Sequence, residues 1–321
     1  MARILFILSF FLINLSLSLG QNVELEWAIQ LGGSQLDVAT NVCLDNQGNV
    51  IVGGYYEGRI DVDPGSGYQY LEHVDERDAY ILKLNPSGDL IWAIGLVGQG
   101  DNGIREIKVD AAGFIYVLGS FYGTIDMDPS EEDLVFNSKG ESDVFIGKFD
   151  PNGHLVWARE IGNEKYNFCN AFMMDDLGNL FISSNFSRTL DCDPDEGIVN
   201  LTSFNDRYDF FLLKLNADGQ FVWVKHFKGE SYENAISIDM DSNGNIYLAG
   251  YFYQNIDLDP GIDSSMFYSQ GEDDAFICKL DSNGDLIWAN SMGGDGDDNA
   301  GHLTLDSFGN FYISGSYDNS I

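Results

Sequence analysis

Positively charged side chains are scarce in this sequence. Its 321 residues include 16 lysines and arginines against 51 aspartates and glutamates, which gives a formal net charge of −35. Proteins that bind nucleic acids neutralise phosphates with clustered lysine and arginine, and proteins that adsorb to anionic membranes use the same residues. The composition therefore argues against both classes of partner, while 44% hydrophobic residues are enough to fill a core.

Cysteine is also scarce, with four residues in the whole chain. The thiols occupy different positions of the repeat described below, which argues against a repeated zinc or disulfide framework. Cys169 and Cys192 fall in one repeat, toward the same side, and outside the cytoplasm this pair could oxidise. The alternative is a set of small, buried thiols. The four are Cys43, Cys169, Cys192 and Cys278.

Long apolar runs are absent after the N-terminus. A basic start at Arg3 precedes an apolar segment from Ile4 to Leu19, and Gly20 ends a small-residue cleavage site. We therefore predict a signal peptide over residues 1–20 and a mature protein outside the cytoplasm, in the periplasm, at the cell surface or in the medium. A membrane anchor is the alternative, although the run is shorter than the roughly 20 apolar residues that span a bilayer.

An internal repeat accounts for the rest of the chain. The five tryptophans are spaced by 65, 65, 66 and 65 residues, and three further motifs keep the same step: D-x-x-G, D-x-D-P and an apolar run that starts with Asp and contains Lys. Four independent motifs in one register indicate a single repeated unit of about 65 residues. The tryptophans are Trp27, Trp92, Trp157, Trp223 and Trp288.

Each unit divides into four short strands, which we call A, B, C and D. In the fourth unit they are Ala235–Met240, Asn245–Phe252, Ala275–Leu280 and Asp285–Met292. Strands of this length, rich in β-branched and aromatic residues and joined by glycine-containing turns, indicate a four-stranded antiparallel meander. The sequence therefore predicts an all-β protein with almost no helix.

Such a meander cannot bury both of its faces alone. Radial stacking in a β-propeller covers both faces; a β-solenoid is the alternative, but its coils are usually shorter. We predict blades at about residues 39–97, 104–161, 169–228 and 235–293, and a partial blade at 300–321 that an N-terminal strand at 24–31 would extend. Either five blades close into a ring, or the chain is part of a longer one, such as a seven-bladed ring.

The combined pattern of motifs is specific. D-x-x-G-N-[IV]-Y, then I-D-x-D-P, then D-[AV]-F-I-x-K-L and W-A follow one another, as from Asp241 to Ala289. From Trp27 to the end, the chain resembles the seven-bladed β-propeller (SBBP) repeat of secreted bacterial proteins. This resemblance implies an extracytoplasmic propeller, often inside a larger surface protein, and it implies no catalytic residues.

The D-x-D-P motif is a candidate calcium ligand. Two carboxylates that are two positions apart in an extended segment project to the same side, within reach of Ca²⁺. The motif lacks the spacing of a complete calcium loop, so the alternative is that the first Asp caps a turn by accepting backbone N–H groups. The candidate ligands are Asp61, Asp63, Asp126, Asp128, Asp191, Asp193, Asp257 and Asp259.

The direction of the strands predicts that acidic residues are unevenly distributed between the two edges of the sheets. The B–C and D–A connections emerge at one edge of each sheet, and the A–B and C–D turns emerge at the other. Because the D–A connections hold many acids beside the D-x-D-P motifs, we expect one face to be much more negative. These acids are Asp37, Asp101, Glu164, Glu230, Glu233, Asp295, Asp297 and Asp298.

Two repeated residue types have structural interpretations. A tryptophan at the same place in every unit, inside an apolar strand, is typical of packing between blades rather than of carbohydrate stacking. One lysine per unit is better explained by a repeated ion pair, or by a stem that lies along the sheet, than by catalysis. The lysines are Lys83, Lys148, Lys214 and Lys279.

Signals for catalysis are weak. The histidines (His73, His154, His226 and His302) fall at unrelated repeat positions, and hydrolase, zinc-protease and phosphate-loop motifs are absent. We therefore expect a secreted or cell-surface binding module without catalytic residues or a firm cofactor, whose partner is an extracellular protein or glycan. The alternative is an extracellular lyase or glycan hydrolase with its site at an acidic channel mouth. Departures from the repeat look diffuse, which favours binding; they are Lys108, Cys169, Cys192, Ser184 and Asn185.

Overall fold

Antiparallel strands form nearly all of the regular structure in the computed structural model, which describes residues 27–130 and 133–318. Within these residues there is no α-helix, and the one helical element is a single 3₁₀ turn, Phe204–Asp206. The predicted all-β class is thus confirmed. The predicted signal peptide and residues 24–26 of the predicted strand 24–31 lie outside the described residues, and residues 27–31 are irregular.

Two compact units divide the chain, Met1–Gln30 and Leu31–Ile321, and the strands all lie in the second. Its first repeat contains β1 (Asp37–Leu44), β2 (Val50–Tyr56), β3 (Ile60–Asp61), β4 (Tyr70–Leu71), β5 (Asp78–Leu84) and β6 (Leu90–Leu96). The second contains β7 (Asn102–Val109), β8 (Ile115–Phe121), β9 (Thr124–Asp126), β10 (Val135–Asn137), β11 (Asp143–Phe149) and β12 (Leu155–Ile161). The third contains β13 (Phe168–Met174), β14 (Leu180–Phe186), β15 (Thr189–Asp191), β16 (Asn200–Thr202), β17 (Asp209–Leu215) and β18 (Phe221–Gly229). The remainder are β19 (Glu233–Met240), β20 (Ile246–Asp257), β21 (Met266–Leu280), β22 (Leu286–Met292), β23 (Asn299–Leu305) and β24 (Phe311–Ser316).

In each of the first four repeats, four strands pair antiparallel in the order A-B-C-D, as in β1-β2-β5-β6. The third and fourth repeats are also joined to each other by a short pairing of β18 with β20 at Lys228–Asp257 and Gly229–Ile256. In the first three repeats a short hairpin, such as β3–β4, occupies the connection between strands B and C. In the fourth repeat this hairpin is continuous with the long strands β20 and β21. Strands β23 and β24 form a fifth, two-stranded sheet. We number the sheets 1 to 5 in chain order.

Apolar side chains are buried between consecutive sheets. The A strands of successive sheets contact one another, β1 with β7, β7 with β13, β13 with β19 and β19 with β23. The inner strands β5 and β14 are buried along their whole length. For β14 this is because sheets 2 and 4 cover its two faces. Phe145, Phe211 and Phe276 are fully buried, each in a different intersheet cluster.

Nine tight turns share one hydrogen-bond pattern. In the first, Asp45 Oδ1 accepts the backbone N–H groups of Gln47 and Asn49, both at 2.9 Å. Gly48 follows with a φ of 79°, a conformation that favours glycine. The other A–B and C–D turns repeat this arrangement with Asp or Asn in the first position. We call this edge of the sheets the turn end, and the opposite edge the loop end.

At the turn end, a tryptophan of one sheet hydrogen-bonds to the next sheet. Trp92 Nε1–H donates to the carbonyl oxygen of Pro151 in the next sheet, at 3.2 Å. Trp157 makes the equivalent bond to Ala217 at 3.3 Å, and a Cβ added at Gly219 of that turn would lie 2.9 Å from the Trp157 ring. The turn glycine therefore serves a second purpose, since it lets the following sheet approach the indole.

The repeated lysine lies beneath the same turns. Lys83 Nζ is 2.9 Å from Asp45 Oδ2, with both side chains more than nine-tenths buried, and Lys279 contacts Asp241 at the same distance. Lys148 and Lys214 are half-buried and instead lie over the rings of Tyr116 and Phe181. The predicted ion pair therefore occurs at Lys83 and Lys279, and a ring contact occurs at the other two lysines.

Candidate functional site

The D-x-D-P motif forms the tip of each B–C hairpin. Asp61 Oδ1 accepts the N–H groups of Asp63 at 3.1 Å and Gln69 at 3.0 Å, and Asp63 Oδ1 accepts that of Gly65 at 2.8 Å. The same pattern recurs in the other three motifs. Both aspartates therefore cap turns, which is the role that the sequence left open as an alternative for the first of them.

These contacts use one oxygen of each carboxylate. Within residues 27–130 and 133–318, no group of three or more His, Cys, Asp or Glu side chains is arranged to hold a metal ion. Calcium binding by the second oxygens of each pair stays a prediction.

Neighbouring sheets are joined at the loop end by a repeated backbone bond. A carbonyl oxygen near the start of one sheet's C strand accepts the N–H of a residue at the start of the next sheet's A strand, as in Asn102 N–H to Arg77 O at 2.9 Å and Asn167 N–H to Ser142 O at 2.8 Å. The residue that follows each of these carbonyl groups is a buried aspartate. Asp78, for example, accepts Gly98 N–H at 2.9 Å and the Asn102 amide at 3.3 Å.

The residue facing this buried aspartate changes between sheets 3 and 4. Glu233 occupies the position of Asn102 and is fully buried, and its Oε2 has no hydrogen-bond partner among the described residues. Burial, together with the charge of Asp209, raises the pKa of Glu233 to about 9. His226 Nε2 lies 2.6 Å from Asp209 Oδ2. Two carboxyl groups and an imidazole are thus buried together where the earlier sheets have an Asp–Asn pair.

Each A strand carries a β-bulge at the same position near the loop end. A bulge leaves one residue unpaired with the neighbouring strand and redirects its side chain. The five bulged residues differ completely in chemistry. They are Thr40, Arg105, Asn170, Ile236 and Gly301.

A cavity of about 560 Å³ opens among these loop-end residues of sheets 1 to 3. Three aromatic side chains in its lining are well exposed: Tyr122 (50%), Tyr166 (43%) and Phe168 (41%). Tyr166 and Phe168 stack on each other, with ring centroids 5.5 Å apart and planes 8° apart. The cavity therefore presents flat apolar surfaces to solvent on the ends of rigid strands.

Charged groups of both signs also line this cavity. Arg77 pairs with Asp101 and lies 5.0 Å from the centroid of the Tyr55 ring. Arg105 is exposed, and no ion pair to it occurs among the described residues; Glu76 is exposed at the rim. Two cations and two anions thus balance in the lining of a protein in which acids outnumber bases threefold.

Aromatic contacts continue from the cavity across sheets 3 and 4. Phe168 contacts Tyr208 at 5.9 Å between centroids, Tyr208 contacts Tyr232 at 6.1 Å, and Tyr232 contacts Tyr251 at 6.1 Å. Together with Tyr166 these rings form a continuous row along the loop end, which we call the aromatic row.

The acids of the D–A connections have several different environments. Asp101 pairs with Arg77 and Glu164 with Arg188, while Glu233 and Asp298 are buried. The loop end is therefore less uniformly negative than the sequence predicts.

Sequence reasoning missed the cavity residues. Arg77, Arg105 and Phe168 occupy repeat positions where the other units carry different residue types. Tyr55 and Tyr166 differ from most of their counterparts, but each has a tyrosine counterpart in the fourth unit, Tyr251 and Tyr232. The available signal was that these residues differ from most of their counterparts in the other repeats, at positions in or next to strands A, B and C. The residues form a cluster only when the strands are assembled. Of the departures noted from sequence, Cys169 does line the cavity, whereas Lys108, Cys192, Ser184 and Asn185 do not belong to its lining.

The cysteines are free thiols in the structure, Cys169 and Cys192 included. Burial raises the pKa of both thiols, that of Cys169 to about 12. A buried thiol of high pKa is a weak nucleophile, so Cys169 adds packing rather than reactivity to the site.

Comparison with known proteins finds distant similarity and no matching family model. The chain is 22% identical, over an alignment that covers 88% of its length, to the uncharacterized WD repeat-containing protein L264 of Acanthamoeba polyphaga mimivirus. It is 24% identical over 164 residues, 50% of its length, to the regulatory protein FlaEY of Caulobacter vibrioides. The chain spans only 24% and 17%, respectively, of these relatives.

Two solved structures illustrate the structural similarity. A Bacteroides caccae protein of unknown function has a TM-score of 0.32 at 13% identity, with 79% of this chain and 81% of that chain covered. The extracellular domain of a putative one component system of B. thetaiotaomicron has a TM-score of 0.21 at 10% identity, with 80% and 49% covered. Values this low assign no family, so the SBBP resemblance stays a prediction. The described residues contain no helix of the length and apolarity that a membrane crossing needs.

Proposed function

We propose that this chain is an extracytoplasmic β-propeller module that binds a ligand at its loop end and catalyses no reaction. One observation carries the proposal. Equivalent positions agree at the turn end, whereas several positions around the loop-end cavity differ from repeat to repeat. The residues before the buried aspartate of each C strand, for example, are Arg77, Ser142, Tyr208 and Asp273.

A structural requirement would act on every repeat alike. All nine turns keep the same acceptor and the same glycine, because each of them must close the same hydrogen bonds. Side chains that vary on the same backbone are not required by it, and sites grafted onto a common scaffold vary in this way. The side chains around the loop-end cavity can therefore vary to suit a ligand without a change in the backbone.

The propeller architecture and the location are part of the same proposal. Repeated four-stranded sheets that contact through their A strands suit a propeller, and the resemblance to SBBP repeats agrees with it. The apolar N-terminal segment suits export from the cytoplasm.

A ligand screen with two variants tests the binding role. The thermal midpoint of the purified chain is measured against defined glycans, peptides and metabolites, and the recovered ligand is analysed by mass spectrometry. We expect a ligand that raises the midpoint of the wild type and of a turn-end control, Ser87→Ala, but not of Arg105→Thr. Chemical conversion of the ligand, or a shift that Arg105→Thr leaves intact, would contradict the proposal.

A further inference from the structure

We infer that the loop-end cavity binds a neutral saccharide, which stacks on the exposed aromatic rings and is held by the arginine and carboxylate groups around them. This inference deepens the proposed function and rests on it.

The aromatic rings have no structural reason to be aromatic. Phe168 occupies the position of Gly103 and Asn234, and Tyr166 that of Asp101 and Asp297, although the fourth unit also has a tyrosine there, Tyr232. The fold thus accepts small or polar residues at both places, so the two rings are not needed to fill a core. They remain more than two-fifths exposed, although burying such rings would be favourable.

An exposed aromatic ring suits one face of a sugar. The face of the ring carries negative charge density from its quadrupole, and the apolar face of a pyranose presents C–H hydrogens to it. The aromatic row extends the surface beyond the cavity, from Tyr166 through Phe168, Tyr208 and Tyr232 to Tyr251. A chain of several sugar units fits this surface better than a single unit.

Sugar hydroxyls both donate and accept hydrogen bonds, and the cavity offers both partners. Arg77 and Arg105 supply donors in a fixed planar arrangement, whereas Asp101 and Glu76 supply acceptors. Ser120 and Ser142 add hydroxyl groups to the lining.

The balance of charge in the lining favours a neutral sugar over an acidic one. The two arginines are matched by two carboxylates, so the cavity gives a ligand carboxylate no excess of positive charge. The net charge of −35 on the chain would further repel an anion during association.

The backbone around the cavity argues against strand addition by a peptide. Arg77 N–H donates to Gly100 O at 3.2 Å, Tyr122 N–H to Asp101 O at 2.9 Å and Asn167 N–H to Ser142 O at 2.8 Å. Peptide recognition by strand addition needs a free sheet edge, and these backbone groups are already bonded.

Calorimetric titration with defined oligosaccharides tests the inference. The probes are maltohexaose, cellohexaose, mannohexaose and xylohexaose, which are neutral, and hexagalacturonate, which is anionic. We expect at least one neutral hexasaccharide to bind the full chain with a Kd below 1 mM, and hexagalacturonate to bind at least tenfold more weakly. The double variant Tyr166→Asn/Phe168→Asn should weaken the neutral sugar at least tenfold.

Tyr68→Ala is the matched control. Tyr68 is 77% exposed and stacks on Tyr70 at 5.8 Å, but it lies in the first B–C hairpin outside the cavity. Its Kd should stay within twofold of the wild type, and urea midpoints verify that each variant is folded.

Three results would overturn the inference: no binding of any neutral hexasaccharide, wild-type affinity of the folded double variant, or tighter binding of hexagalacturonate. If a peptide or metabolite instead shows a shift that depends on Arg105, the saccharide inference fails while the proposed function stands. If a sugar binds but neither Arg105→Thr nor the double variant affects it, both fail.

Discussion

The turn end and the loop end belong to the same strands but differ in what they repeat. At the turn end, each sheet closes its turns with the same side-chain acceptor and glycine, and Trp92 and Trp157 reach the next sheet in the same way. At the loop end the backbone bonds also repeat, yet the five bulged residues are all different. The comparison separates residues that every repeat needs from residues that vary on the same backbone.

The largest effect should come from the buried ion pair at the turn end. Lys83→Met leaves Asp45 buried without its cation, and loss of one partner of a buried pair typically costs about 3–5 kcal/mol. The matched control is Arg59→Met, since Arg59 lies 3.9 Å from Glu72 with both side chains more than half exposed; it should cost less than about 1 kcal/mol. Urea unfolding measures both, and equal losses would contradict the comparison.

The Lys83–Asp45 pair should make the stability of the protein depend on pH. Burial alone would raise the pKa of Asp45, but hydrogen bonds from Asn49 and Lys83 hold it at about 2, below the usual 3.8. The unfolded chain therefore binds this proton first, and the stability from Asp45 is present above pH 4 and is lost as the pH falls toward 2.

A somewhat smaller effect is expected at the indole contact. Gly219→Ala combines a φ of 73° with a Cβ placed 2.9 Å from the Trp157 ring, and should lower the free energy of unfolding by about 2–4 kcal/mol. Gly244→Ala has a similar φ of 80° but only an ordinary contact, 3.8 Å from Ser282, and should cost about 1–2 kcal/mol. A difference below about 0.5 kcal/mol would show that the indole contact is unimportant.

Calcium is the next test, at the loop end. If Asp191 and Asp193 bind Ca²⁺, a hundredfold excess over Kd should add about 2.7 kcal/mol to stability. The variant Asp191→Asn/Asp193→Asn keeps Oδ1 as an acceptor for the N–H groups of Asp193 and Val199, so its turn should persist while part of the calcium effect disappears. Equal thermal midpoints in CaCl₂ and in NaCl of the same ionic strength would refute the site.

Glu233→Gln should stabilise the protein by on the order of 2 kcal/mol at pH 8. Because the pKa of Glu233 is raised from 4.5 to about 9, the folded state holds its proton more tightly, and stability falls as the pH rises from about 4.5 to 9. The uncharged glutamine removes this loss, so its advantage should vanish near pH 4.5. Asp209 and His226, which share the cluster, remain in the variant.

Glu230→Gln is the control for that substitution, because Glu230 is exposed in the same connection. It should change the free energy of unfolding by no more than about 0.5 kcal/mol at either pH. A gain at pH 8 as large as that of Glu233→Gln would point to a general reduction of negative charge instead.

The sequence was enough to predict the structural features that all copies of the repeat have in common. The spacing of Trp92, Trp157 and Trp223, the D-x-x-G turns and the alternation of apolar residues were enough for the all-β class and for the packing role of tryptophan. These features arise within one repeat, or between one repeat and the next, and they are therefore visible as periodicity.

The candidate site could not be predicted from the repeat in the same way. Arg77, Arg105 and Tyr166 come from sheets 1, 2 and the start of 3, and each alone looks like a single departure from the repeat. Their proximity depends on the A-strand bulges and on the backbone bond from Asn102 to Arg77. The burial of Glu233 beside Asp209 was equally hidden, since the sequence shows only one more acid in an acidic connection.

The most direct test of the account is the free energy of unfolding of the triple variant Tyr55→Ser/Arg105→Thr/Phe168→Asn, measured in urea with and without the ligand found in the screen. Each substitution installs a residue that another repeat carries at that position, as in Ser120, Thr40 and Asn234. The account predicts a stability within about 1 kcal/mol of the wild type, an unchanged m-value and no stabilisation by the ligand. A loss above about 3 kcal/mol, or wild-type stabilisation by the ligand, would contradict it.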